Sequence, residues 1–480
     1  MDTIQSSNTI RSIRTNKNAV SFDALNKEEE DQQPLSPVAR LFHEPGSNIY
    51  IVCVIGYKTK LRPDVIKQHL VHTLLKNRRF SSLQVIDEEN DSMKWIPTQV
   101  NIDDHVVIAE PNPNVESPDK FVENYISNLS RSRIESTKPL WDFHIVDTKT
   151  SDTEGTCVFR CHHSIGDGLS LMNILLACAR KVSDPEALPT LPGNNKLGHV
   201  AKGCSLWSAL GVMWNSFVDL LMFLLTALFL EDSKTPIRGS KGSKNSTRRF
   251  VFRSVSIDDI KLVKQALNVT FNDVVLGAAQ AGLHRYLRQR YNNKNVDVPD
   301  NIRCRATIFF NLRATTSIKD LTDMDTNGTW GNKIGYSVLP FDIRLKNDPL
   351  DYVRDAHATM KRKKASLEPL FTNYFVKLVQ LMFGIKVVGK LNTKVVYNTT
   401  LGFSNVPGPQ EEIMLFGHKV AYLAPSCYGQ MNALFISVAS YKDKVMFMVA
   451  VDEETIPDPH KLCDDLEQSI CDIKASAQTI

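Results

Sequence analysis

A chain of 480 residues with 42% hydrophobic and 23% charged side chains can bury sizeable cores, and its length suits two domains. A net charge of +4, with no arginine-rich helix or aromatic-interleaved basic strip, argues against a nucleic-acid-binding protein. Nine cysteines without a spacing pattern fit reduced thiols better than a disulfide framework. The chain carries no P-loop, no dinucleotide fingerprint, no internal repeat and no G-x-S-x-G elbow, so nucleotide-dependent and serine-hydrolase chemistries lack their signatures.

Residues 1–33 are polar and unpatterned, with Arg11, Arg14 and Lys17 ahead of an acidic run from Glu28 to Asp31. A disordered tail is expected there rather than a transit peptide, because the segment has no apolar face to bury. From Leu35 to Val182 helix-like and strand-like runs alternate. Asn48 to Tyr57 reads as a strand, Asp64 to Lys76 as a helix with Val65, Leu70 and Leu74 apolar, and Trp141 to Val146 as a strand.

Thr156-Cys157-Val158-Phe159-Arg160 reads as another strand, and Leu169 to Arg180 as a helix rich in Leu, Ile, Met and Ala. Between them lies Cys161-His162-His163-Ser164-Ile165-Gly166-Asp167-Gly168. Strand, sharp turn and helix place His163 where the chain reverses, and a neutral imidazole there suits a general base near pH 7. Asp167 is spaced to fold back under the turn, and Gly168 admits backbone angles that other residues resist. Two other readings stand beside this one. The histidine pair is incidental, or Cys157, Cys161, His162, His163 and Asp167 bind zinc. Against zinc, the cysteines sit at even spacing in a strand and no second ligand pair completes a tetrahedral site.

Ser183 to Gly203 reads as a loop punctuated by Pro185, Pro189, Pro192 and Gly193. Leu206 to Leu230 follows as a 25-residue apolar run, long enough to cross a bilayer. Of its polar residues Ser208, Asn215, Ser216, Asp219 and Thr226, all but Ser216 fall within about 20° of one line along a helix, which makes a narrow polar stripe on an apolar rod. Lys234 to Arg249 reads as a basic Gly/Ser linker.

In the second half, Arg249 to Val255 is strand-like. Ser256 caps a helix to Leu267, and Thr270 with Asp273 starts a longer one to about Arg290. Gly277, Ala278, Ala279, Ala281 and Gly282 give that helix a face for close packing. Strands are expected near Arg305 to Leu312, Tyr336 to Phe341, Tyr397 to Phe403, Ala433 to Tyr441 and Lys444 to Val451. Val406-Pro407-Gly408-Pro409 marks a rigid turn.

The run HHSIGDG resembles the HHxxxDG motif of the CoA-dependent acyltransferase superfamily. Pro34-Leu35-Ser36-Pro37, Arg79-Phe80-Ser81-Ser82, Asp104-His105-Val106, Pro139-Leu140-Trp141, Asn272-Asp273 and Ser404-Asn405-Val406-Pro407-Gly408-Pro409 follow in the order expected of one branch. On these residues the chain resembles the plant-type wax ester synthase/diacylglycerol acyltransferases across about residues 34–475.

The resemblance implies an α/β fold of two similar chloramphenicol acetyltransferase-like domains, with mixed sheets flanked by helices and an active-site channel at their interface. The expected division is a tail (1–33), an N-terminal domain with the motif (34–200), the apolar helix and basic linker (201–248) and a C-terminal domain (249–480). It also implies transfer of a fatty acyl group from acyl-CoA to a long-chain fatty alcohol or to diacylglycerol. No cofactor and no metal are implied, acyl-CoA being a substrate.

His163 is then the proton acceptor and His162 a structural neighbour. Asp167 is an anchor paired with Arg79 or Arg313, and Gly168 keeps the turn tight. Ser404 and Asn405 are candidate oxyanion donors or channel residues. Pro139, Leu140 and Trp141 pack near the site, and Asn272 and Asp273 serve mainly as structure through the helix cap. The alternatives are a non-catalytic acyl-CoA- or lipid-binding membrane protein and a related acyltransferase with another hydroxyl or amine acceptor. The phenolic-acceptor plant enzymes carry a DFGWG run that this chain lacks.

The implied location is the endoplasmic reticulum membrane, with the plasma membrane as a second. Both halves are expected in the cytosol. A single span would leave the basic flank after residue 230 cytosolic and place the His163 half across the membrane from Asn405. Residues 206–230 are therefore expected to contact membrane lipid from one leaflet only.

Overall fold

The computed structural model describes residues 33–87, 92–110, 117–192, 206–239, 247–299, 301–313 and 330–480. The expected tail, apart from Gln33, lies outside them, as do part of the expected loop and part of the linker.

The strands of the first half are β1 (Gln33–Pro34), β2 (Tyr50–Tyr57), β3 (Ser82–Asp87), β4 (Ser92–Pro97), β5 (Val106–Ile108), β6 (Trp141–Val146), β7 (Gly155–His162) and β8 (Ala179–Lys181). The helices among them are α1 (Pro37–Leu41), α2 (Pro63–His72), α3 (Pro118–Leu129) and α4 (Gly168–Ala177), and α5 (Leu206–Leu228) follows. The second half holds β9 (Arg248–Ser256), β10 (Arg305–Asn311), β11 (Ile334–Pro340), β12 (Leu401–Val406), β13 (Ile413–Leu415), β14 (His418–Tyr428), β15 (Leu434–Tyr441) and β16 (Lys444–Asp452). Its helices are α6 (Ile257–Leu267), α7 (Phe271–Asn292), α8 (Leu350–Lys364), α9 (Glu368–Phe383), α10 (Ile385–Asn398) and α11 (Pro459–Ala477).

Two mixed sheets dominate, as the two-domain α/β expectation required. One runs β5-β6-β7-β2-β14-β13-β8 and the other β11-β10-β12-β15-β16-β9, with β1-β4-β3 forming a small third sheet. The division at residue 249 is not respected by the strands. β13 and β14 belong to the second half in sequence but complete the first sheet, with β14 antiparallel to β2 from Tyr428↔Tyr50 onward. The cause is local. Pro407 and Pro409 follow β12 and cannot donate to a ladder, so the chain leaves the second sheet there.

Several boundaries differ from the sequence reading. Tyr397 and Asn398 close α10, and the strand expected from Tyr397 starts at Leu401. The helix expected to run to Arg180 stops at Ala177, because Ala179–Lys181 pairs with β13. Short apolar runs carry too little periodicity to separate helix from strand.

The second sheet is covered on both faces. Val275, Leu283, Val353 and Leu466 from α7, α8 and α11 fill one side. Phe250, Phe435, Met446 and Met448 point to the other side and join the core of the first sheet. Close approach explains the small residues of α7, since a Cβ on Gly277 would lie 2.8 Å from the Val353 Cα.

Candidate active site

β7 is buried along its whole length and paired with β6 and β2, which fixes the point where the chain leaves the sheet at His163. The His163 N–H donates to the Ile49 carbonyl (2.9 Å), and the ring stacks on Phe42 at 4.1 Å between centroids. Phe42 directly follows α1.

Burial holds the His163 imidazole below the ordinary histidine pKa, while its own backbone carbonyl, the Asp167 charge and Asn332 act in the opposite direction. The ring is therefore neutral at pH 7 and has a lone pair to accept a proton. Nδ1 is sealed from solvent, which leaves Nε2 as the ring atom to meet a substrate.

His162 is differently placed. Gln84 Oε1 accepts from Ser164 Oγ (2.7 Å) and from His43 Nε2 (2.6 Å). The Ser164 oxygen is then left to accept from His162 Nδ1 at 2.7 Å. His162 also packs edge-on against Tyr50. These contacts make it a joint between β2, β3 and the motif turn. Burial first, and the neighbouring histidine charges after it, hold its pKa well below the ordinary value.

Asp167 is the N-cap of α4, its carboxylate accepting from the Ser170 N–H at 3.0 Å. The same carboxylate accepts from Arg313 Nη1 (2.8 Å) and from the Lys333 N–H (3.0 Å). Arg313 also donates to Ser170 Oγ at 2.8 Å. Arg79, the other arginine considered, is not the partner. Its guanidinium lies over Trp95 at 4.4 Å. The turn at Arg79 is held instead by Asn77, whose side chain accepts the Arg79 N–H.

Gly168 does not need an unusual backbone angle, contrary to the expectation from its residue type. Its place is close-packed instead, since a Cβ there would come to 3.2 Å from Val406 Cγ2. This contact also brings the end of β12 to the start of α4. Side chains alternate along a strand, so Ser404 shares the face of Val406 while Asn405 points the other way. Accordingly, Asn405 Nδ2 donates to Asn272 Oδ1 at 2.5 Å, joining two motifs at the head of α7. Asp273 forms a capping box with Thr270 and accepts from His357 Nδ1 at 2.8 Å.

Pro139-Leu140-Trp141 is wired to the motif through the backbone, with the His162 N–H donating to the Leu140 carbonyl at 2.9 Å. Trp141 Nε1 donates to the Phe80 carbonyl (2.8 Å), and its ring stacks on His105 at 4.2 Å.

Sequence reasoning missed the segment Trp330-Gly331-Asn332. Asn332 Nδ2 donates to the carbonyls of His163 (2.9 Å) and Ser164 (3.3 Å), and Trp330 Nε1 to that of Ile165 (3.1 Å). No spacing rule marks these residues, because they lie more than 160 positions from their partners. Among the described residues no group of three or more His, Cys, Asp or Glu side chains could hold a metal ion. Burial raises the thiol pKa of Cys157 and Cys161 well above the usual range, which keeps both in the form that ligates metals poorly.

Residues 64–275 match the "Wax ester synthase/diacylglycerol acyltransferase catalytic domain" and residues 330–474 the "WS/DGAT C-terminal domain". The chain belongs to the wax ester synthase/diacylglycerol acyltransferase family. It is 43% identical to wax ester synthase/diacylglycerol acyltransferase 5 of Arabidopsis thaliana, over 97% of this chain and 98% of that one. It is also 43% identical to wax ester synthase/diacylglycerol acyltransferase 11 of the same plant, over 94% and 96%. Among solved structures, the wax ester synthase/diacylglycerol acyltransferase of Marinobacter aquaeolei VT8 superposes with a TM-score of 0.59 at 19% identity, covering 93% of this chain and all of that one. The trichothecene 15-O-acetyltransferase of Fusarium sporotrichioides reaches 0.57 at 12% identity, covering 93% and 95%. The fold is thus the chloramphenicol acetyltransferase-like fold that the motif implied.

Proposed function

We propose that this member of the family transfers a fatty acyl group from acyl-CoA to a long-chain alcohol, giving a wax ester, and to diacylglycerol, giving triacylglycerol. The observation that carries the mechanism is the neutral, buried imidazole of His163 at the seam between the two sheets. Nε2 takes the hydroxyl proton as the alcohol oxygen attacks the thioester carbonyl carbon. The tetrahedral intermediate collapses by breaking the C–S bond, and the imidazolium returns the proton to the departing CoA thiolate. Ester and free CoA are the products, and no covalent acyl-enzyme intervenes.

Ser404, on the face of β12 that looks toward α4, is the better candidate donor to the oxyanion. Asn405 works through Asn272. Asp167 acts as an anchor, since its oxygens are taken up by Arg313, Lys333 and Ser170.

Residues 34–200 and 249–480, joined by 201–248, form the two halves of this enzyme. The enzyme acts at the cytosolic face of the endoplasmic reticulum membrane, with α5 lying in one leaflet. Trp207–Leu228 is long and apolar enough to cross a membrane. However, its polar stripe is bound to the protein. Asn215 donates to the Ala365 carbonyl, and Ser216 accepts from the Leu367 N–H. Asp219, 1% exposed, pairs with Arg362 and Lys363, and Thr226 accepts from Arg305. Trp207, Leu210, Met213, Trp214, Phe217 and Leu221 project from the other side. These contacts, running from Asn215 to Thr226, support the one-leaflet placement over a single span.

The test is product analysis. Purified protein receives labelled acyl-CoA with a fatty alcohol and diacylglycerol in parallel. Labelled wax ester and triacylglycerol are expected from the wild type and neither from His163→Ala. Absence of both from an active-folded wild-type preparation overturns the assignment.

A further inference from the structure

Of the 23 large hydrophobic residues exposed on the described surface, 8 lie between Trp207 and Phe229 and another 8 between Leu367 and Val387. The second group belongs to α9 and the start of α10, which the one-leaflet reading of α5 does not involve. The two groups are neighbours. Ser216 Oγ accepts from the N–H of Leu367 at 2.9 Å, Phe223 packs on Phe375, and Lys394 of α10 donates to the Leu228 carbonyl.

α9 is apolar on both sides. Thr372, Val376 and Val379 are buried against the body. Leu370, Tyr374, Leu378 and Leu381 lie on a stripe of the opposite side, where Leu381 is 85% exposed. Solvent exposure of such a stripe is unfavourable and calls for an occupant.

The charges beside it indicate which. No acidic residue occurs from Pro369 to Gln410, and the four lysines there (Lys377, Lys386, Lys390 and Lys394) are all exposed. Lys386, Lys390 and Lys394 recur every fourth residue, so they form one ladder along α10. An apolar stripe with interfacial aromatic residues and a lysine ladder matches acyl chains beneath anionic headgroups. The surface also backs onto the active site. α9 and α10 pack on α1, which leads into Phe42. Asn373 donates to the Ile334 carbonyl, two residues after Asn332.

We propose that the exposed stripe of α9 and the lysine ladder of α10 extend the α5 surface into a docking face for an anionic lipid leaflet, which delivers the lipid acceptor behind Phe42 and Asn332. This rests on the one-leaflet reading of α5 and adds a second membrane-contacting element to it.

The test is flotation of the full-length protein with phosphatidylcholine vesicles, with and without phosphatidylserine. Leu381→Asp combined with Met382→Asp should lower the vesicle-bound fraction about ten-fold, since two apolar contacts are replaced by charges repelled from the headgroups. Lys386→Glu combined with Lys390→Glu should remove the preference for phosphatidylserine and leave binding to neutral vesicles. Both variants should keep the wild-type melting temperature and the wild-type rate on a short, water-soluble alcohol. Wild-type flotation of the α9 variant overturns the proposal while leaving the α5 reading intact, and lost flotation of Phe217→Asp tests α5 separately. A dimer that the α9 variant dissociates without loss of vesicle binding also overturns it, because the face would then join two copies. Loss of the soluble activity in a folded variant would likewise count against it.

Discussion

Arg313 Nη1 lies 2.8 Å from Asp167 Oδ2, with both side chains almost wholly buried. This pair ties the end of β10 in the second sheet to the turn that carries His163 in the first. The carboxylate also holds the head of α4, so one side chain fixes the motif from two directions. Removing one member leaves a buried charge without a partner, which costs about 3–5 kcal/mol. Arg313→Ala and Asp167→Ala should each lower the melting temperature and abolish turnover, and Asp167→Asn should do so more mildly. Lost activity at an unchanged melting temperature would instead assign Asp167 a direct part in the chemistry.

The two histidines should separate. His163→Ala removes the proton acceptor and is expected to reduce ester formation by at least about 10²-fold with stability retained. His162→Ala takes a partner from Ser164 and should chiefly lower stability. Equal loss of activity at both positions, in proteins melting like the wild type, would mean that the roles are misassigned.

Asn332 is expected to position the His163 turn. Its amide donates to the His163 carbonyl, and its Oδ1 is buried without another partner, as is His163 Nδ1. Asn332→Ala should lower kcat with little change in the KM for acyl-CoA. Asn332→Asp places a carboxylate beside the ring, so the acid limb of the pH–rate profile should move to higher pH. An unmoved limb in a folded, active Asn332→Asp protein would count against this role.

Acid should destabilise the protein early. Burial lowers the pKa of His162 and His163 and brings His43 down to about 4, against about 6.5 in an unfolded chain. Below about pH 6.5 the unfolded chain therefore binds protons that the folded one refuses. Stability is complete above that pH and falls as the pH drops, by about 1.4 kcal/mol per unit from His43 down to about pH 4, with His162 and His163 adding in the same direction. His105, His284 and His418 are shifted in the same direction by burial. Denaturant midpoints from pH 7.5 to 5 should decline, and His43→Gln should flatten the slope. A midpoint that rises on acidification would contradict the sign.

Topology can be read in two ways. Tags at the N-terminus and after Arg249 should both be digested in sealed microsomes, and none of the sequons at Asn128, Asn245, Asn268, Asn327 and Asn398 should be glycosylated. Protection of one tag only would establish a span. Independently, Asp219→Leu would favour a spanning helix but should destabilise this one, because Lys363 and Arg362 lose their shared partner.

Local patterning was enough for much of this protein. An apolar run with a polar stripe marked α5, and runs of β-branched and aromatic residues marked most long strands. Capping chemistry marked the starts of α6 and α7, and HHSIGDG with the ordered short motifs marked the family. These signals are short-range, and a sequence displays them directly. What only the tertiary structure decided is which distant groups meet. It chose Arg313 over Arg79, because the end of β10 reaches α4 while Arg79 is held against Trp95. It turned Asn405 toward Asn272 and Val406 toward Gly168, because the strand alternates and one face looks into the seam. It moved β14 into the first sheet, brought Asn332 under His163 and set α9 beside α5. Each of these contacts joins residues far apart in the chain, and sheet register, which brings them together, leaves no mark in local composition.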